Sequence, residues 1–228
     1  MAEKHQICSH QSCVSLVAIF NHLEEKHRKE IIDAVQSISY KKGDTIYQAG
    51  DHSDSLYIVS SGKIRIYRLS ESGKEQLIRI LYPGEFTGEL ALFNETTQEA
   101  YAEAMTNAQI CRIKRSDLQN LIIKYPSISF SLLAEFASRL EKSEKQAASF
   151  ATEKVETRIA LYLADCMDLT EQTTEFVLPM SKKDLASYLG TTPETISRKL
   201  AEFEQQGYIK QTSARQIKIL DRNGLLLI

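Results

Sequence analysis

From residue 38 to about residue 113, apolar and polar residues alternate in short runs, and this pattern constrains the fold more than any other feature of the chain. The clearest runs are residues 45–48, 55–59, 63–67 and 76–81. Turn-forming pairs separate them: Gly43-Asp44, Gly50-Asp51, Ser61-Gly62, Ser72-Gly73 and Pro83-Gly84. Short strands with a turn about every ten residues are typical of an antiparallel barrel or sandwich.

Helical periodicity lies on both sides of this region. Before it, a short amphipathic helix is predicted from the spacing of Leu23, His27, Ile31, Ile32 and Val35. After Pro126 the helical pattern continues for roughly 25 residues. Its seam positions alternate in steps of three and four: Leu133, Phe136, Leu140, Ser143, Ala147 and Phe150. Such a seam packs on its own barrel or on a second copy, and the charged residues beside it favour a homodimer through its apolar members.

The segment 181–209 predicts two short helices joined by a tight turn. Ser181 is suited to cap the N-terminus of the first helix, and Gly190 is suited to end it. Thr192 is suited to cap the second helix, with Pro193 at its first position. Two helices with so short a connection predict a helix-turn-helix.

The second of these helices has two distinct faces. At 100° per residue, its buried face contains Ile196, Leu200 and Phe203. A recognition helix presents polar side chains on the opposite face to the DNA major groove, where Arg bonds guanine and Glu accepts from cytosine. The predicted DNA-contacting set on this helix is Thr192, Glu194, Thr195, Ser197 and Arg198. An ordinary solvated helix face is the alternative interpretation of the same pattern.

Two strand-like segments, residues 208–210 and 216–220, follow the second helix and predict a wing. Lys210, Arg215 and Lys218 lie in or between them, where they are expected to meet DNA phosphates. The formal net charge of the whole chain is -2, so the total charge does not indicate nucleic-acid binding. From residue 182 onward, however, eight Lys and Arg residues stand against five Asp and Glu residues.

Other classes of protein lack support in the sequence. No apolar run approaches the roughly 18 residues of a membrane span, and no signal peptide is evident, so we expect a cytoplasmic protein with no membrane partner. There is no Cys-x-x-Cys pair, phosphate loop or activated nucleophile, which argues against an enzyme. A small-molecule-binding module whose tail contacts protein rather than DNA is the main alternative class.

The chain resembles, over nearly its whole length, the family of the cyclic-AMP receptor protein and the fumarate-nitrate reductase regulator. The motifs are Gly43-Asp44, Ala49-Gly50-Asp51, Ser61-Gly62, Pro83-Gly84-Glu85-Phe86, Gly88-Glu89-Leu90-Ala91-Leu92 and Pro193-Glu194-Thr195-Ile196-Ser197-Arg198. The resemblance implies an α+β fold with a cyclic-nucleotide-binding-like β-barrel (a jelly roll), a long dimerisation helix and a winged helix-turn-helix. The corresponding segments are 1–22 (cysteine-containing), 23–124 (barrel), 125–150 (dimerisation helix) and 151–228 (DNA-binding domain).

The resemblance also implies a function. Glu194, Ser197 and Arg198 look like the fumarate-nitrate branch, whose members read TTGAT-type half-sites as two-fold dimers. Double-stranded DNA, RNA polymerase and a second copy of the chain are the implied partners. Cyclic AMP is not expected, because the family's phosphate-binding Arg is missing from residues 97–101. Glu99 would repel a cyclic phosphate there in the absence of a nearby Arg.

The resemblance leaves the signal open. The fumarate-nitrate regulator holds an oxygen-labile 4Fe-4S cluster, and its ligand positions correspond here to Cys8, Cys13 and Cys111, with His5 where the first cysteine would be. Ligation by four cysteines is commoner, so this set departs from the pattern. A reversible disulfide between Cys111 and Cys8 or Cys13 is an equal alternative. Another metal, an unrelated effector and ordinary thiols complete the alternatives, and Cys166 is predicted to be a core or surface thiol.

Overall fold

The computed structural model describes residues 14–93, 96–168 and 174–228. The chain divides into two compact units, Met1–Arg139 and Leu140–Ile228. Within the described ranges, every helix is too short or too polar to cross a membrane.

The first unit is built mainly from antiparallel strands. Its strands are β1 (Val35–Tyr40), β2 (Thr45–Tyr47), β3 (His52–Ser53), β4 (Ser55–Ser61), β5 (Ile64–Leu69), β6 (Glu75–Leu81), β7 (Phe86–Thr87), β8 (Thr96–Thr97), β9 (Tyr101–Ala104) and β10 (Ala108–Lys114). Its helical segments are α1 (Glu25–Asp33), a 3₁₀ turn (Glu89–Leu92), α2 (Arg115–Lys124) and the first half of α3 (Ser127–Thr152). One four-stranded sheet has the order β1-β10-β4-β7, the other has the order β2-β9-β5-β6, and β3 pairs with β8.

The two four-stranded sheets enclose an apolar core between them. Both contribute side chains to it, including Tyr47 of β2, Val59 of β4 and Ile110 of β10. The opposite face of the first sheet packs on helices. We call this second layer the helix-side core; it includes Leu56, Ile58, Phe86, Cys111 and Ile113 of the sheet, Leu118 and Leu121 of α2, and Ile128 and Leu132 of α3. Neighbouring residues of β10 thus point to opposite faces, as the alternating sequence requires.

The first helix ends earlier than its apolar spacing predicts. α1 ends at Asp33, and Val35 begins β1, where it pairs with Ile113 of β10. The predictions that Val35 continues the helix and that the strands begin near residue 38 are therefore wrong. Val35 is buried in the helix-side core with Ile31, so its apolar character fits either element. The hydrogen-bonded ladder between β1 and β10 makes Val35 a strand residue, in keeping with the preference of β-branched Val for strands.

The second unit combines short helices with a small sheet. Its elements after α3 are α4 (Val155–Asp168), β11 (Glu175–Val177), α5 (Lys182–Tyr188), α6 (Pro193–Gln205), β12 (Ile209–Gln211), β13 (Gln216–Ile219) and α7 (Arg222–Leu226). The three strands form an antiparallel sheet in the order β11-β13-β12. α6 packs on α4, α5 and β12. Short connections between α5, α6 and β12 therefore hold two helices and a hairpin together.

Candidate nucleic-acid interface and sensor site

The two helices of the predicted helix-turn-helix are α5 and α6, and a polar side chain caps each N-terminus. Ser181 Oγ accepts a hydrogen bond from the backbone N–H of Asp184 at 3.1 Å, and Thr192 caps α6 in the same manner. Pro193 lies in the first turn of α6, where the absence of an N–H has no cost. Gly190 has a φ of 68°, the left-handed conformation that turns the chain from α5 towards α6.

α6 has one buried and one exposed face. Its buried residues are Ile196, Leu200 and Phe203. The predicted readout residues Glu194, Ser197 and Arg198 are all exposed. Thr192 is also exposed, whereas Thr195 is half-buried. The polar face thus stands at the start of the helix and meets solvent, as base readout in a major groove requires.

The two charged residues of the predicted readout set, Glu194 and Arg198, differ in their local contacts. Arg198 is 66% exposed, and its Nε lies 3.8 Å from Glu202 Oε1. An exposed pair of this kind contributes about 0–1 kcal/mol, so Arg198 can exchange it for a DNA contact at little cost. A hydrogen bond from the backbone amide of Glu194 itself, and a second from Thr192, lower the pKa of the Glu194 carboxyl. At neutral pH Glu194 is therefore an acceptor, as contact with cytosine N4 requires.

Lys199, the residue after Arg198, has a structural position that the sequence pattern did not indicate. Its Nζ lies 2.6 Å from a carboxylate oxygen of Glu156 on α4 and 2.7 Å from one of Glu202 on α6. These hydrogen bonds raise the pKa of Lys199. Lys199 therefore fixes α6 to α4 and is committed to protein contacts, unlike its neighbour Arg198.

The predicted wing is the hairpin of β12 and β13, and it carries a pair of like charges. Lys210 lies directly opposite Lys218 in the antiparallel register. Like charges at such a position repel each other unless an anion lies nearby, which suits a phosphate contact. The third predicted phosphate contact, Arg215, donates a hydrogen bond from Nη2 to the carbonyl of Leu178 at 2.7 Å. Its exposed guanidinium retains further donors for DNA.

Gln211 connects the wing to both helices, a role that no sequence signal indicated. Its backbone N–H donates to Glu204 Oε1 of α6 at 2.8 Å. Its side-chain oxygen accepts from Nζ of Lys182, the first residue of α5, at 3.2 Å. The wing and the two helices thus form one connected surface, which holds Lys182, Arg198 and Lys210 on one scaffold.

Comparison with known proteins identifies the family. Residues 157–228 match the family described as Crp-like helix-turn-helix domain, and residues 37–125 match the family described as Cyclic nucleotide-binding domain. The chain is 36% identical over 214 residues to the probable transcriptional regulator flp of Lacticaseibacillus casei, which covers 94% of this chain and 96% of the relative. The chain belongs to the CRP/FNR family of transcription regulators.

Further relatives are similar to this CRP/FNR regulator over most of its length. The Anaerobic regulatory protein of Haemophilus influenzae is 31% identical over 97% of this chain and 86% of its own. The structure of FixK2 from Bradyrhizobium japonicum matches with a TM-score of 0.72 at 28% identity, over 84% of this chain and 95% of that one. The predicted fold class is confirmed, and so is the prediction of a DNA-binding regulator rather than an enzyme.

The predicted dimer seam of α3 presents several exposed apolar side chains. Leu133 and Leu140 are 61% and 60% exposed, and Ala147 is also exposed. Phe136 is half-buried, and its ring meets that of Phe93 with 5.8 Å between centroids. Phe150 is covered in part by the guanidinium of Arg158, 4.9 Å from the ring centroid. Two of the five predicted interface residues therefore already make contacts within their own unit.

Phe130 lies beside this seam, although the sequence pattern did not indicate it. It is 75% exposed, more than Leu133, Leu140 or Phe150. It precedes Leu133 by three positions, one helical turn closer to the start of α3, whereas strict alternation of three and four would place the preceding seam position at residue 129.

Of the predicted sensor residues, Cys111 lies within the described ranges. Cys111 is 2% exposed on β10 and is disulfide-bonded. Cys8, Cys13 and His5 lie outside the described residues. Cys166 is not disulfide-bonded, and burial in the second unit raises the pKa of its thiol to about 11. No group of three or more metal-ligating side chains is found in the part of the chain that the structure describes.

The region expected to exclude a cyclic phosphate differs from the prediction in one respect. Glu99 forms an ion pair with Arg68 of β5, so the expectation that no Arg lies near Glu99 is wrong. Strand pairing of β5 with β9 brings the two residues together across 31 positions of sequence, which no local pattern reveals. Because Glu99 neutralises Arg68 and both are largely exposed, the pair offers no net positive charge to a phosphate.

The carboxylate of the Gly-Glu-Leu motif is committed to arginines of the same chain. Glu89 Oε1 accepts from Arg79 Nη2 at 2.9 Å and from Arg139 Nη1 at 2.8 Å. Burial alone would raise the pKa of Glu89, but the charges of Arg79 and Arg139 outweigh burial and hold its pKa below the usual value. This ion pair joins the barrel to α3 across 50 positions of sequence, and no local sequence pattern indicates it.

Proposed function

We propose that this CRP/FNR regulator is a homodimer that reads TTGAT-like palindromic half-sites and responds to redox state through its cysteines. One observation carries the redox part: Cys111 is disulfide-bonded and buried in the helix-side core, which also contains Ile128 and Leu132 of α3. A covalent change at Cys111 therefore acts on the same packed layer that holds the start of the long helix.

The proposed chemistry is thiol–disulfide exchange between Cys111 and one of the N-terminal cysteines, Cys8 or Cys13. The two protein thiols are oxidised by a low-molecular-weight disulfide. One S–S bond forms in the protein, the external S–S bond breaks, and the two thiol protons end on the two small thiols released. Cys166 takes no part, because a buried thiol with a pKa of about 11 forms little thiolate at neutral pH.

A 4Fe-4S cluster is the competing proposal, and the described residues fit it less well. Such a cluster is usually held by four thiolates, and the chain has four cysteines in all. Cys111 has no thiolate to offer while it is disulfide-bonded, and Cys166 is buried in the second unit. His5, Cys8 and Cys13 lie outside the described residues. The proposed mechanism therefore has no step through a cluster.

The exposed apolar side chains of α3 support the homodimer. Burying a side chain such as Leu133 or Leu140 fully contributes about 1.5–3 kcal/mol, so pairing two α3 helices removes an unfavourable surface. A two-fold dimer presents two recognition helices to successive major grooves, about 34 Å apart, which suits a palindromic site. RNA polymerase is the proposed partner of the DNA-bound dimer on the ground of family membership alone.

The test compares the DNA affinity of the reduced and the oxidised protein. Fluorescence anisotropy of a labelled duplex with a TTGAT palindrome gives the dissociation constant in excess reduced or excess oxidised glutathione. We expect the two constants to differ by about tenfold, an ordinary size for a coupling between sites. Cys111→Ser should bring their ratio to one, whereas the control Cys166→Ser should keep the wild-type ratio.

Three results would contradict parts of the proposal. A wild-type ratio retained in Cys111→Ser would eliminate the thiol mechanism. Equal affinity for a scrambled duplex would eliminate the half-site. About four iron atoms and four sulfides per subunit after purification without oxygen would replace the disulfide with a cluster.

A further inference from the structure

A row of packed side chains leads from Cys111 across the first sheet. Cys111 of β10 lies directly opposite Ile58 of β4, and Ile58 lies directly opposite Phe86 of β7. Opposed residues share one face of a sheet, with Cβ atoms about 4.5–5.5 Å apart. All three side chains are at most 2% exposed and belong to the helix-side core. Because protein interiors are close-packed, a displacement at Cys111 must be accommodated by its neighbours in this row.

The row ends beneath the guanidinium of Arg139 on α3. The guanidinium carbon lies 4.2 Å from the centroid of the Phe86 ring, and Nη2 donates to the Phe86 carbonyl at 3.1 Å. Nη1 donates to Glu89 Oε1 at 2.8 Å, and Nε donates to Glu135 Oε1 at 2.7 Å. The side chain of Arg139 is 17% exposed, so these contacts are largely shielded from water. Arg139 thus attaches α3 to both Phe86 and Glu89.

The Glu89 attachment also has a support from outside the row. Arg79 of β6 donates to the same carboxylate oxygen of Glu89 at 2.9 Å. The preceding Gly88 has a φ of 84°, and a Cβ built there would lie 2.4 Å from the Ser55 carbonyl oxygen, so the chain passes close to β4. One support of Arg139 therefore belongs to the row that begins at Cys111, and the other is fixed by Arg79.

We propose that Arg139 is a positioning residue that transmits the covalent state of Cys111 to α3 through Ile58 and Phe86. A shift of Phe86 changes the stacking surface and the carbonyl acceptor of Arg139, while Glu89 stays in place. The guanidinium of Arg139 can then keep its full contact with either Phe86 or Glu89 but not with both, and this changes how α3 is attached to the barrel. Arg139 is the last residue of the first unit, so this attachment lies where α3 continues into the second unit. This inference rests on the proposed redox function.

Thermodynamic linkage supplies two readouts that a purely structural role would not move. If the state of Cys111 alters DNA affinity through Arg139, DNA must alter the midpoint potential of the Cys111 disulfide by the same free energy. A tenfold coupling corresponds to about 30 mV for this two-electron couple. Removing the transmitting residue should abolish both effects while leaving the disulfide able to form.

The experiment uses the full-length protein and the variant Arg139→Gln, which removes the charge and the stacking surface. Lys145→Gln is the matched control, because Lys145 forms an exposed ion pair with Glu141 further along α3. Anisotropy gives the ratio of dissociation constants in reduced and oxidised glutathione, and thiol counting confirms the oxidation state. We expect a wild-type ratio of about tenfold, a ratio near one in Arg139→Gln and the wild-type ratio in Lys145→Gln. Redox titrations with and without DNA should show the shift in midpoint potential in the wild type and no such shift in Arg139→Gln.

The outcomes separate this inference from the proposed function. A wild-type ratio of one would refute redox sensing itself. A wild-type ratio near ten that Arg139→Gln retains would overturn only the role of Arg139. Phe86→Leu is the second variant if Arg139→Gln does not fold, since it keeps an apolar side chain but removes the ring beneath the guanidinium. It too should lower the ratio towards one, and an unchanged ratio in a folded Phe86→Leu protein would overturn the proposed route.

Discussion

Replacing Gly88 with alanine tests whether the Gly-Glu-Leu motif is required by the packing of the barrel itself. Gly88 has a φ of 84°, and a Cβ at this position would lie 2.4 Å from the Ser55 carbonyl oxygen and 3.1 Å from a ring carbon of Tyr57. The left-handed conformation costs alanine about 1–2 kcal/mol. Forcing a methyl group into a filled site costs about 1–3 kcal/mol more. We therefore expect Gly88→Ala to lower the free energy of unfolding by about 2–5 kcal/mol.

Gly50 provides a matched control for this experiment. Its φ is 93°, and a Cβ there would have no heavy atom within 4 Å. Gly50→Ala should therefore show the strain alone, about 1–2 kcal/mol. Urea unfolding followed by circular dichroism measures both variants, and the difference between them isolates the clash with Ser55. Equal losses in the two variants would refute the reasoning, because the close approach to β4 would then have no energetic effect.

Three further predictions concern the recognition helix, the buried carboxylate and the seam. Arg198→Ala should weaken binding to the specific duplex by about 1–3 kcal/mol and relax the preference at one base pair; a uniform loss on every duplex in anisotropy titrations would make Arg198 a phosphate contact instead. Because the pKa of Glu89 is lowered in the folded protein, its stabilising contribution is present above its unfolded-state pKa and is lost as pH falls through the folded-state pKa. Urea unfolding from neutral to acidic pH should therefore show a shallower loss of stability in Glu89→Gln than in the wild type, and identical slopes would contradict this. Leu140→Lys should convert a dimer to a monomer in analytical ultracentrifugation, because it buries a charge in the seam, while Lys142→Ala should stay dimeric; a dimeric Leu140→Lys would exclude this seam as the interface.

The parts of the structure that follow from near neighbours in the sequence could be predicted. Ser181 and Thr192 cap their helices as their positions before α5 and α6 indicate. Gly190 adopts the left-handed conformation that its place after α5 suggests. The exposed position of Arg198 follows from helical periodicity alone. Each of these features depends on residues only a few positions apart, so the local sequence is sufficient to predict it.

Contacts between residues distant in the sequence were decided by the tertiary structure. Val35 has a spacing that suits a helix, and only its ladder with β10 makes it a strand residue. Arg68 meets Glu99 because β5 pairs with β9, which overturned the expectation of a Glu99 without a nearby Arg.

The sequence by itself determined the alternation that builds the sheets, the caps and turn of the helix-turn-helix, and the three-and-four spacing of α3. Cys111 could be identified as a candidate from the sequence. Its packing against Ile58 and Phe86 could not be predicted, because it depends on the register of three strands. It gave no sign that Arg139 would meet Glu89, 50 residues earlier in the chain. Periodicity and capping depend on local backbone geometry, whereas strand register and buried ion pairs depend on how the whole core closes.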